Sequence, residues 1–334
     1  MMSTATTPQI EVSRLEPKPL PPNITCVQPG RGWVMRLELA WGKLRRVWLR
    51  SLRPGYVARM RGLRQGECPN CPHDVVDPRD LKFYRNVCGY FFAPEHDRFA
   101  WRGRLKLARC GLAELLVFAG AFTLVALGMT VAAVLLNQPW LGAAAVVPAA
   151  LAVFVVSFFR DPLRRIPTDA GLVVSPADGT VDDIEELEHS EFLDGPAVKI
   201  GIFLSVFNVH INRAPERSRV IELKYIRGKF GNALRPETAK DNEQLWIALE
   251  ADNPPHRRML VKQIVGAIAR RIVCEARPGE VLARGQKFGM IKFGSRTELY
   301  LPKEGALCVT AKLNQSVRGG LSVLARYADS ESTP

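Results

Sequence analysis

Two uninterrupted apolar runs constrain the fold of this chain more than any other feature of its sequence. Residues 111–159 contain one charged side chain, Glu114. Within them, Leu115–Leu136 and Trp140–Phe159 are continuous apolar runs separated by a short polar turn. Each run has the length that a helix needs to cross a hydrocarbon core of about 30 Å at about 1.5 Å per residue. The pattern predicts a two-span transmembrane hairpin over 111–159 and disfavours a buried hairpin in a soluble core.

Basic side chains flank the two runs on their outer sides and are absent from the turn between them. The flanking residues are Arg98, Arg102, Arg104, Lys106, Arg109, Arg160, Arg164 and Arg165. Because Lys and Arg accumulate on the cytoplasmic side, we expect both flanks on that side of the cell (inner) membrane. The first 110 residues hold 20 Lys and Arg against 9 Asp and Glu. This balance suits an anionic partner, and the adjacent spans favour a membrane over a nucleic acid.

The N-terminal third divides into a tail and a basic cytoplasmic extension. Residues 1–30 are rich in Pro, Ser and Thr, which predicts a disordered tail. In the extension, 31–110, apolar residues recur at helical spacing over Trp33–Leu52 among many arginines. This spacing predicts a basic amphipathic helix. It is either an interfacial membrane helix or a helix packed on its own domain, and the sequence leaves both open.

The seven cysteines have no paired spacing, so they predict no disulfide framework and agree with a reducing compartment. Cys68-Pro-Asn-Cys71 could begin a zinc site. No second closely spaced pair follows it. We therefore expect a small structured segment with free thiols and no bound metal, with Cys68 and Cys71 as the only zinc candidates.

The remaining residues, 160–330, have the texture of a compact, mostly antiparallel β domain. Short apolar or alternating runs are separated by turn residues. The predicted runs are 171–181, 198–203, 219–225, 245–249, 259–264, 288–291, 297–301, 307–313 and 321–327. Residues 278–289 have the spacing of a lipoyl- or biotinyl-type hairpin but no Met-Lys-Met or Asp-Lys-Ala attachment site, so only the architecture carries over.

Three segments of this domain carry side chains that could do chemistry: Asp178 in a turn, His210 in an apolar run, and the Gly294-Ser295 dipeptide. A serine hydroxyl beside a glycine carbonyl can attack that peptide bond if a base takes its proton and a third group orients the base. Each residue alone also has an ordinary structural interpretation, as a turn residue or a buried histidine. Spacing leaves the triad an open hypothesis.

From about Phe158 to Tyr327 the chain closely resembles the short, membrane-anchored form of phosphatidylserine decarboxylase, a pyruvoyl-dependent enzyme. Residues 1–110 are not covered by this resemblance. The matching stretches are Phe158-Phe-Arg-Asp-Pro162, Ser175-Pro-Ala-Asp-Gly179, Phe203 to Pro215, Gly228-Lys-Phe-Gly-Asn-Ala233, Asp241-Asn-Glu243, Gly266 to Cys274 and Phe288 to Pro302.

The resemblance implies a proenzyme. Ser295 would attack the Gly294 carbonyl, and β-elimination and hydrolysis would leave a pyruvoyl group at the start of 295–334, with chains 1–294 and 295–334 held together. That group would form a Schiff base with phosphatidylserine in an anionic membrane and give phosphatidylethanolamine and CO2. Asp178 and His210 match the family residues for maturation, and His210 is the candidate proton donor in turnover.

One departure from the family pattern concerns the histidines. Some longer members carry two histidines three residues apart here, whereas this chain has His210 and Arg213. Either His210 serves both steps or another group supplies the second. Arg213 could instead bind the substrate carboxylate or phosphate, and Lys229 and Asn232 are further substrate-binding candidates.

Alternative functions also remain open at this stage. One is decarboxylation of another serine phospholipid, and another is a catalytically inactive, membrane-tethered β-domain that only binds. A homo-oligomer is possible in each case.

Overall fold

The structure, a computed structural model, describes residues 14–27, 33–84, 88–234, 236–267, 271–292 and 294–328. Its helices are α1 (Trp33–Leu52), α2 (Pro54–Leu63), α3 (Pro78–Tyr84), α4 (Arg109–Leu135), α5 (Pro139–Phe158) and α6 (Pro236–Lys240). Its strands are β1 (Leu172–Val174), β2 (Gly179–Ser190), β3 (Gly195–Leu204), β4 (Ile211–Arg213), β5 (Ser218–Ile226), β6 (Gln244–Ala251), β7 (Arg258–Val265), β8 (Arg271–Cys274), β9 (Val281–Leu282), β10 (Lys287–Lys292), β11 (Ser295–Pro302), β12 (Leu307–Val309), β13 (Ser316–Val317) and β14 (Val323–Tyr327).

The C-terminal half is a mostly antiparallel β domain, as the sequence predicts. Among the described residues, the main sheet has the order β13-β2-β3-β11-β7-β6-β5-β9, and two small sheets have the orders β4-β10-β8 and β1-β14-β12. Strand β3 is almost continuously apolar because it lies inside the main sheet, where both faces are covered. The sheet topology therefore places β11, which begins at Ser295, between β3 and β7 near the middle of the main sheet.

The two apolar runs form helices α4 and α5, which confirms that each run is helical. The helices pack against each other, and the turn between them contains Asn137 at a positive φ of 52°. Each helix is long and apolar enough to cross a membrane. Most of their large side chains face away from the protein, including Leu124, Val131 and Val153. An unburied apolar surface of this kind is not that of a soluble core helix.

Helix α1 has the bounds that the sequence predicts, but it packs through its charged face. Glu38, Arg45 and Arg46 are buried or nearly so and pair with Arg271, Asp77 and Asp80 respectively. The apolar face is exposed, with Leu37, Trp41, Leu44, Trp48 and Leu52 each about half or more accessible. The helix thus contacts its own domain and still presents an unpartnered apolar surface among the described residues.

Part of the predicted disordered tail forms an ordered strap over the β domain. The backbone N–H of Lys18 donates to the carbonyl of Ile221 at 2.8 Å, and Ile24 is buried in the main core. The segment 14–27 therefore differs from the prediction, because its backbone finds hydrogen-bond partners and its few apolar side chains find a core. Residues 1–13 and 28–30 of the predicted tail lie outside the described residues.

Candidate active site

The Gly294–Ser295 bond lies where the chain enters β11. Gly294 has a φ of +62°, a region that glycine adopts without a steric penalty. Ser295 pairs with Leu204 of β3 and Val265 of β7. Its side chain is fully buried, and its hydroxyl has no hydrogen-bond partner among the described residues. An unpaired buried hydroxyl costs stability, and such groups concentrate at functional sites.

His210 lies against this bond. The backbone N–H of Gly294 donates to Nε2 of His210 at 3.2 Å. On the other side of the ring, Nδ1 donates to the carbonyl of Asn208 at 2.9 Å. The Asn208 contact fixes the tautomer, because a carbonyl can only accept, so the proton is on Nδ1 and Nε2 carries a lone pair. His210 thus places a basic nitrogen beside Gly294, the residue that precedes the candidate nucleophile.

The surroundings of His210 keep its imidazole neutral. The ring is fully buried, and burial together with the nearby Arg160 cation lowers the pKa of His210 to about 4. Phe158, at the foot of α5, stacks against the ring with centroids 4.4 Å apart. The Phe158-Phe-Arg-Asp-Pro motif therefore has a physical role here, since it covers the histidine at the end of an apolar helix.

Gly266, the residue after β7, leaves space for the carbonyl oxygen of Gly294. A Cβ placed on Gly266 would be 2.4 Å from the Gly294 carbonyl oxygen and 3.3 Å from Cβ of Ala233. Asn242 holds the neighbouring loop in place: its amide donates to the carbonyls of Val265 and Gly231, at 2.8 and 3.0 Å. The Gly228–Ala233 and Asp241–Glu243 stretches thus meet beside the carbonyl that the serine would attack.

Asp178 lies at the same end of the main sheet but is not hydrogen bonded to His210. Its carboxylate accepts from Arg164 and from the backbone N–H of Gly319, both at 2.7 Å. Among the described residues, the structure places His210 against Gly294, next to Ser295, and shows no hydrogen bond that joins Ser295, His210 and Asp178 in a triad. The orienting contact that the sequence reasoning assigned to a carboxylate is made by the Asn208 carbonyl.

A buried amide network next to Ser295 was missed by the sequence reasoning. Thr297 shares a face of β11 with Ser295, because side chains two apart in a strand point the same way. The Asn212 amide donates to Thr297 Oγ1 at 3.0 Å, and the Gln263 amide donates to Asn212 Oδ1 at 2.9 Å. The available signal is Asn212, a polar residue two positions after His210 that follows the apolar Ile211.

The three substrate-binding candidates have different surroundings. Arg213 is buried, and its guanidinium donates to the Gly285 carbonyl at 3.0 Å and pairs with Asp161 at 3.5 Å. These contacts favour an anchoring role, and substrate binding by Arg213 stays a prediction. Lys229 is exposed and pairs with Asp241, while Asn232 is exposed and accepts from the N–H of Leu234. Both lie on the loop beside Gly266.

Comparison with known proteins identifies the family. The model of the phosphatidylserine decarboxylase family matches residues 151–325. The phosphatidylserine decarboxylase proenzyme of Rhodopirellula baltica is 46% identical over 248 residues, which is 74% of this chain and 99% of that protein. That of Carboxydothermus hydrogenoformans is 48% identical over 208 residues, 62% of this chain and 94% of that protein. The chain belongs to the phosphatidylserine decarboxylase family. This membership makes it a carboxy-lyase and confirms the resemblance seen in its motifs.

Phosphatidylserine decarboxylase motifs converge here at the foot of the apolar helices. The Phe207 ring, which is largely exposed, contacts Phe154 of α5 edge-on at 5.9 Å. Phe230 and Leu234 are exposed on the loop on the other side of Gly266. Two loops near the candidate site therefore present exposed apolar side chains.

Close to the site, four charged side chains are buried together. Lys292, two residues before Gly294, donates to Glu114 of α4 and, at 2.9 Å, to the Cys110 carbonyl. Arg271 of β8 pairs with Glu38 of α1 at 3.1 Å and lies 3.7 Å from Glu114. The single charged residue of the apolar segment thus links the first apolar helix to the strand that leads into the candidate active site.

Proposed function

We propose that this chain is a proenzyme that cuts itself between Gly294 and Ser295 and then decarboxylates phosphatidylserine to phosphatidylethanolamine and CO2. One observation carries the proposal: a buried serine hydroxyl without a partner among the described residues follows a glycine whose N–H contacts Nε2 of His210. A basic nitrogen, a buried nucleophile and an adjacent carbonyl are the groups that serinolysis needs.

The maturation step can be written with these groups. Ser295 Oγ attacks the Gly294 carbonyl carbon, and His210 takes the hydroxyl proton. The C–N bond breaks as that proton passes to the released amine, which leaves an ester between Gly294 and the Ser295 side chain. Loss of the Ser295 α-proton then breaks the ester C–O bond, giving a Gly294 carboxylate and a dehydroalanine. Water replaces the nitrogen of that residue, and ammonia leaves.

The residues present fit a pyruvoyl group made from Ser295. The position is buried between β3 and β7, and Gly266 leaves room for the groups on the Gly294 side. A pyruvoyl group supplies a carbonyl that condenses with an amine and accepts the electron pair released with CO2. His210, neutral at physiological pH, can take a proton from the substrate ammonium and return it to the carbon that has lost CO2. In this proposal one histidine serves both steps, and Asp178 acts by positioning its loop.

The apolar helices give this site access to a lipid. We propose that α4 and α5 form a transmembrane hairpin and that the catalytic domain and the N-terminal extension lie on the cytoplasmic side. The contact between Phe158, the last residue of α5, and His210 supports a reactive site at the foot of that hairpin. The exposed tryptophans of α1 suit the membrane interface, and the neighbouring arginines suit anionic lipid. The proposed organisation is then a basic extension over 31–110, a hairpin over 111–159 and a decarboxylase domain over 160–330.

Mass spectrometry of the purified protein tests the self-cleavage. The wild-type chain should separate into 1–294 and 295–334, with the smaller piece resistant to Edman sequencing because it has no N-terminal amine. Ser295→Ala should remain one chain of 37.1 kDa and release no CO2 from phosphatidylserine. Ser316→Ala, at an exposed position of β13, is the matched control and should be cut and active. Cleavage or activity in Ser295→Ala would overturn the proposal.

A further inference from the structure

A cluster of four cysteines lies outside the candidate active site, in the part of the chain that precedes the apolar helices. The Sγ atoms of Cys26, Cys71 and Cys88 lie within 4.8 Å of one another. Cys68 Sγ is 2.6 Å from Cys71 Sγ, and Cys71 Sγ is 3.4 Å from Cys26 Sγ. We propose that Cys26, Cys68, Cys71 and Cys88 bind one structural zinc ion.

The spacing of the sulfur atoms fits this ion. Zinc in structural sites is tetrahedral with Zn–S bonds of about 2.3 Å, so its four sulfurs lie about 3.8 Å apart. The 3.4 Å between the sulfurs of Cys71 and Cys26 is close to that value, whereas the 2.6 Å between those of Cys68 and Cys71 is shorter, so the Cys68 side chain must rotate to admit the ion. Four thiolates are the donor set that zinc takes in closed structural sites. Cys68-Pro-Asn-Cys71 supplies the short-range pair that such sites commonly contain.

The surroundings are those of a closed site. Cys26, Cys68 and Cys88 are buried, and the cluster is packed among Val75, Leu81, Tyr90 and Phe92. His73 Nε2 lies 3.7 Å from Cys26 Sγ. With Cys68 as the fourth ligand, His73 is placed to donate a hydrogen bond to the Cys26 sulfur, a common way of orienting a metal ligand.

A disulfide between Cys68 and Cys71 is the competing interpretation, and the other two cysteines argue against it. A disulfide needs two sulfurs, whereas the fold brings those of Cys26, Cys71 and Cys88 within 4.8 Å of one another and adds Cys68 beside Cys71, from three separate parts of the chain. Cys26 belongs to the strap, Cys68 and Cys71 follow α2, and Cys88 follows α3. Convergence of this kind is explained by a shared ligand.

The zinc ion would fasten the extension to the decarboxylase domain. The strap that ends at Cys26 is bonded to β5 through Lys18 and Ile221. Three residues after Cys88, the Phe91 ring stacks under the guanidinium of Arg277, 4.2 Å from its carbon. Binding of a structural metal contributes directly to folding free energy, so the metal would stabilise the segment that carries α1 against the catalytic domain.

Metal content of the full-length protein, purified in detergent under reducing conditions without chelator, tests the site. We expect inductively coupled plasma mass spectrometry to find about one zinc ion per chain. Cys71→Ser and Cys88→Ser should lower this content at least fivefold. Cys308→Ser changes an exposed cysteine of β12 and should leave it unchanged. Cys68→Ser should lose the metal and His73→Gln should keep most of it, and the reverse result would overturn the ligand set.

A second set of measurements uses the wild-type chain, so its outcome does not depend on whether the cysteine variants fold. In the wild-type chain, Co²⁺ exchanged for the native metal should give the intense visible absorption of tetrahedral thiolate coordination, and excess Zn²⁺ should abolish it. A chelator should make the four cysteines reactive toward a thiol reagent. The proposal fails if the reduced wild-type chain holds less than about a tenth of an equivalent of metal and takes up none from Zn²⁺, or if peptide mapping finds a Cys68–Cys71 disulfide.

Discussion

His210 shows how burial can prepare a base at the level of one residue. A histidine in water has a pKa near 6.5 and would be partly protonated at neutral pH. Here burial, reinforced by Arg160, lowers the pKa to about 4, and the Asn208 carbonyl holds the proton on Nδ1. Nε2 is therefore available as an acceptor across the physiological range.

This environment can be tested in the Ser295→Ala chain, which preserves the uncut peptide. We expect nitrogen NMR of labelled histidine to find one imidazole that stays neutral, with its proton on Nδ1, until the pH falls to about 4. The pKa of His210 is lower in the folded chain than in the unfolded chain. Between about pH 6.5 and 4 the unfolded chain therefore binds more protons, so the free energy of unfolding should decrease as the pH falls through that window. His210→Gln should remove this signal. A titration of that signal near 6.5 would contradict the assigned environment.

Gly266 sets a second residue-scale requirement, because it leaves space for the carbonyl under attack. In Gly266→Ala the new Cβ would be 2.4 Å from the Gly294 oxygen, and backbone rather than a flexible side chain would have to move. We expect self-cleavage to slow at least tenfold, measured by the fraction of cut chain after synthesis, since reacting atoms must be aligned. Gly305→Ala adds the same methyl group where nothing lies within 4 Å and should cleave normally. Equal self-cleavage rates in Gly266→Ala and Gly305→Ala would show that the space at Gly266 does not matter for the reaction.

At the scale of elements, buried charges join the apolar helix to the active-site strand. Glu114 of α4 and Lys292 of β10 are both buried and paired. Removing one partner of a buried pair leaves an uncompensated charge and costs about 3–5 kcal/mol, whereas replacing both costs much less.

Thermal unfolding in detergent tests this coupling. Glu114→Gln and Lys292→Met should each lower the melting temperature strongly, and the double variant should recover much of the loss. Glu186→Gln, which breaks the exposed pair with Lys303, should change stability by less than about 1 kcal/mol. Additive effects in the double variant would show that Glu114 and Lys292 do not act as a pair.

The elements also show where sequence reasoning succeeds. Strands such as β3, β6 and β7 were predicted to within a few residues because their apolar pattern is local. Strands β4 and β13 are too short to carry a pattern of their own, and β4 is held by the neighbouring β10. The burial of Glu38 could not be predicted, because it depends on Arg271, a partner 233 residues away along the chain.

The residues of the candidate site also divide into those that the sequence predicts and those that only the structure shows. Ser295 and His210 are recognised from motifs, and the structure places His210 against Gly294, the residue before Ser295. Asn208 was not found, because its role belongs to a backbone carbonyl that any residue provides. Cys26 and Cys88 were not connected with Cys68 and Cys71, since nothing local relates residues brought together by tertiary packing.

At the scale of the whole molecule, α1 presents an apolar face that the part of the chain described by the structure leaves uncovered. Trp41 and Trp48 are exposed there, and Trp101 is exposed nearby. Tryptophan is enriched where membrane meets water. We therefore expect the extension to lie on the same bilayer that we propose the apolar hairpin crosses, so that the membrane would contact the protein at two places.

Fluorescence in bilayers containing brominated lipid tests this arrangement, because bromine quenches tryptophans that reach the acyl chains. Trp41→Phe together with Trp48→Phe should remove a substantial part of the quenchable emission. Trp246→Phe is the control: its ring is covered by the ammonium groups of Lys224 and Lys262, and its loss should leave the quenched fraction unchanged or higher. If the α1 variants lose no quenching, the helix does not contact the membrane.

The position of β11 has a consequence for when the enzyme can become active. Residue 295 starts a strand that is paired on both sides, and the base beside it comes from a segment 85 positions earlier. Neither arrangement exists in an unfolded chain. In the proposed mechanism, self-cleavage therefore depends on folding: a misfolded copy would keep its serine and never acquire the catalytic group, so only correctly assembled molecules would become active.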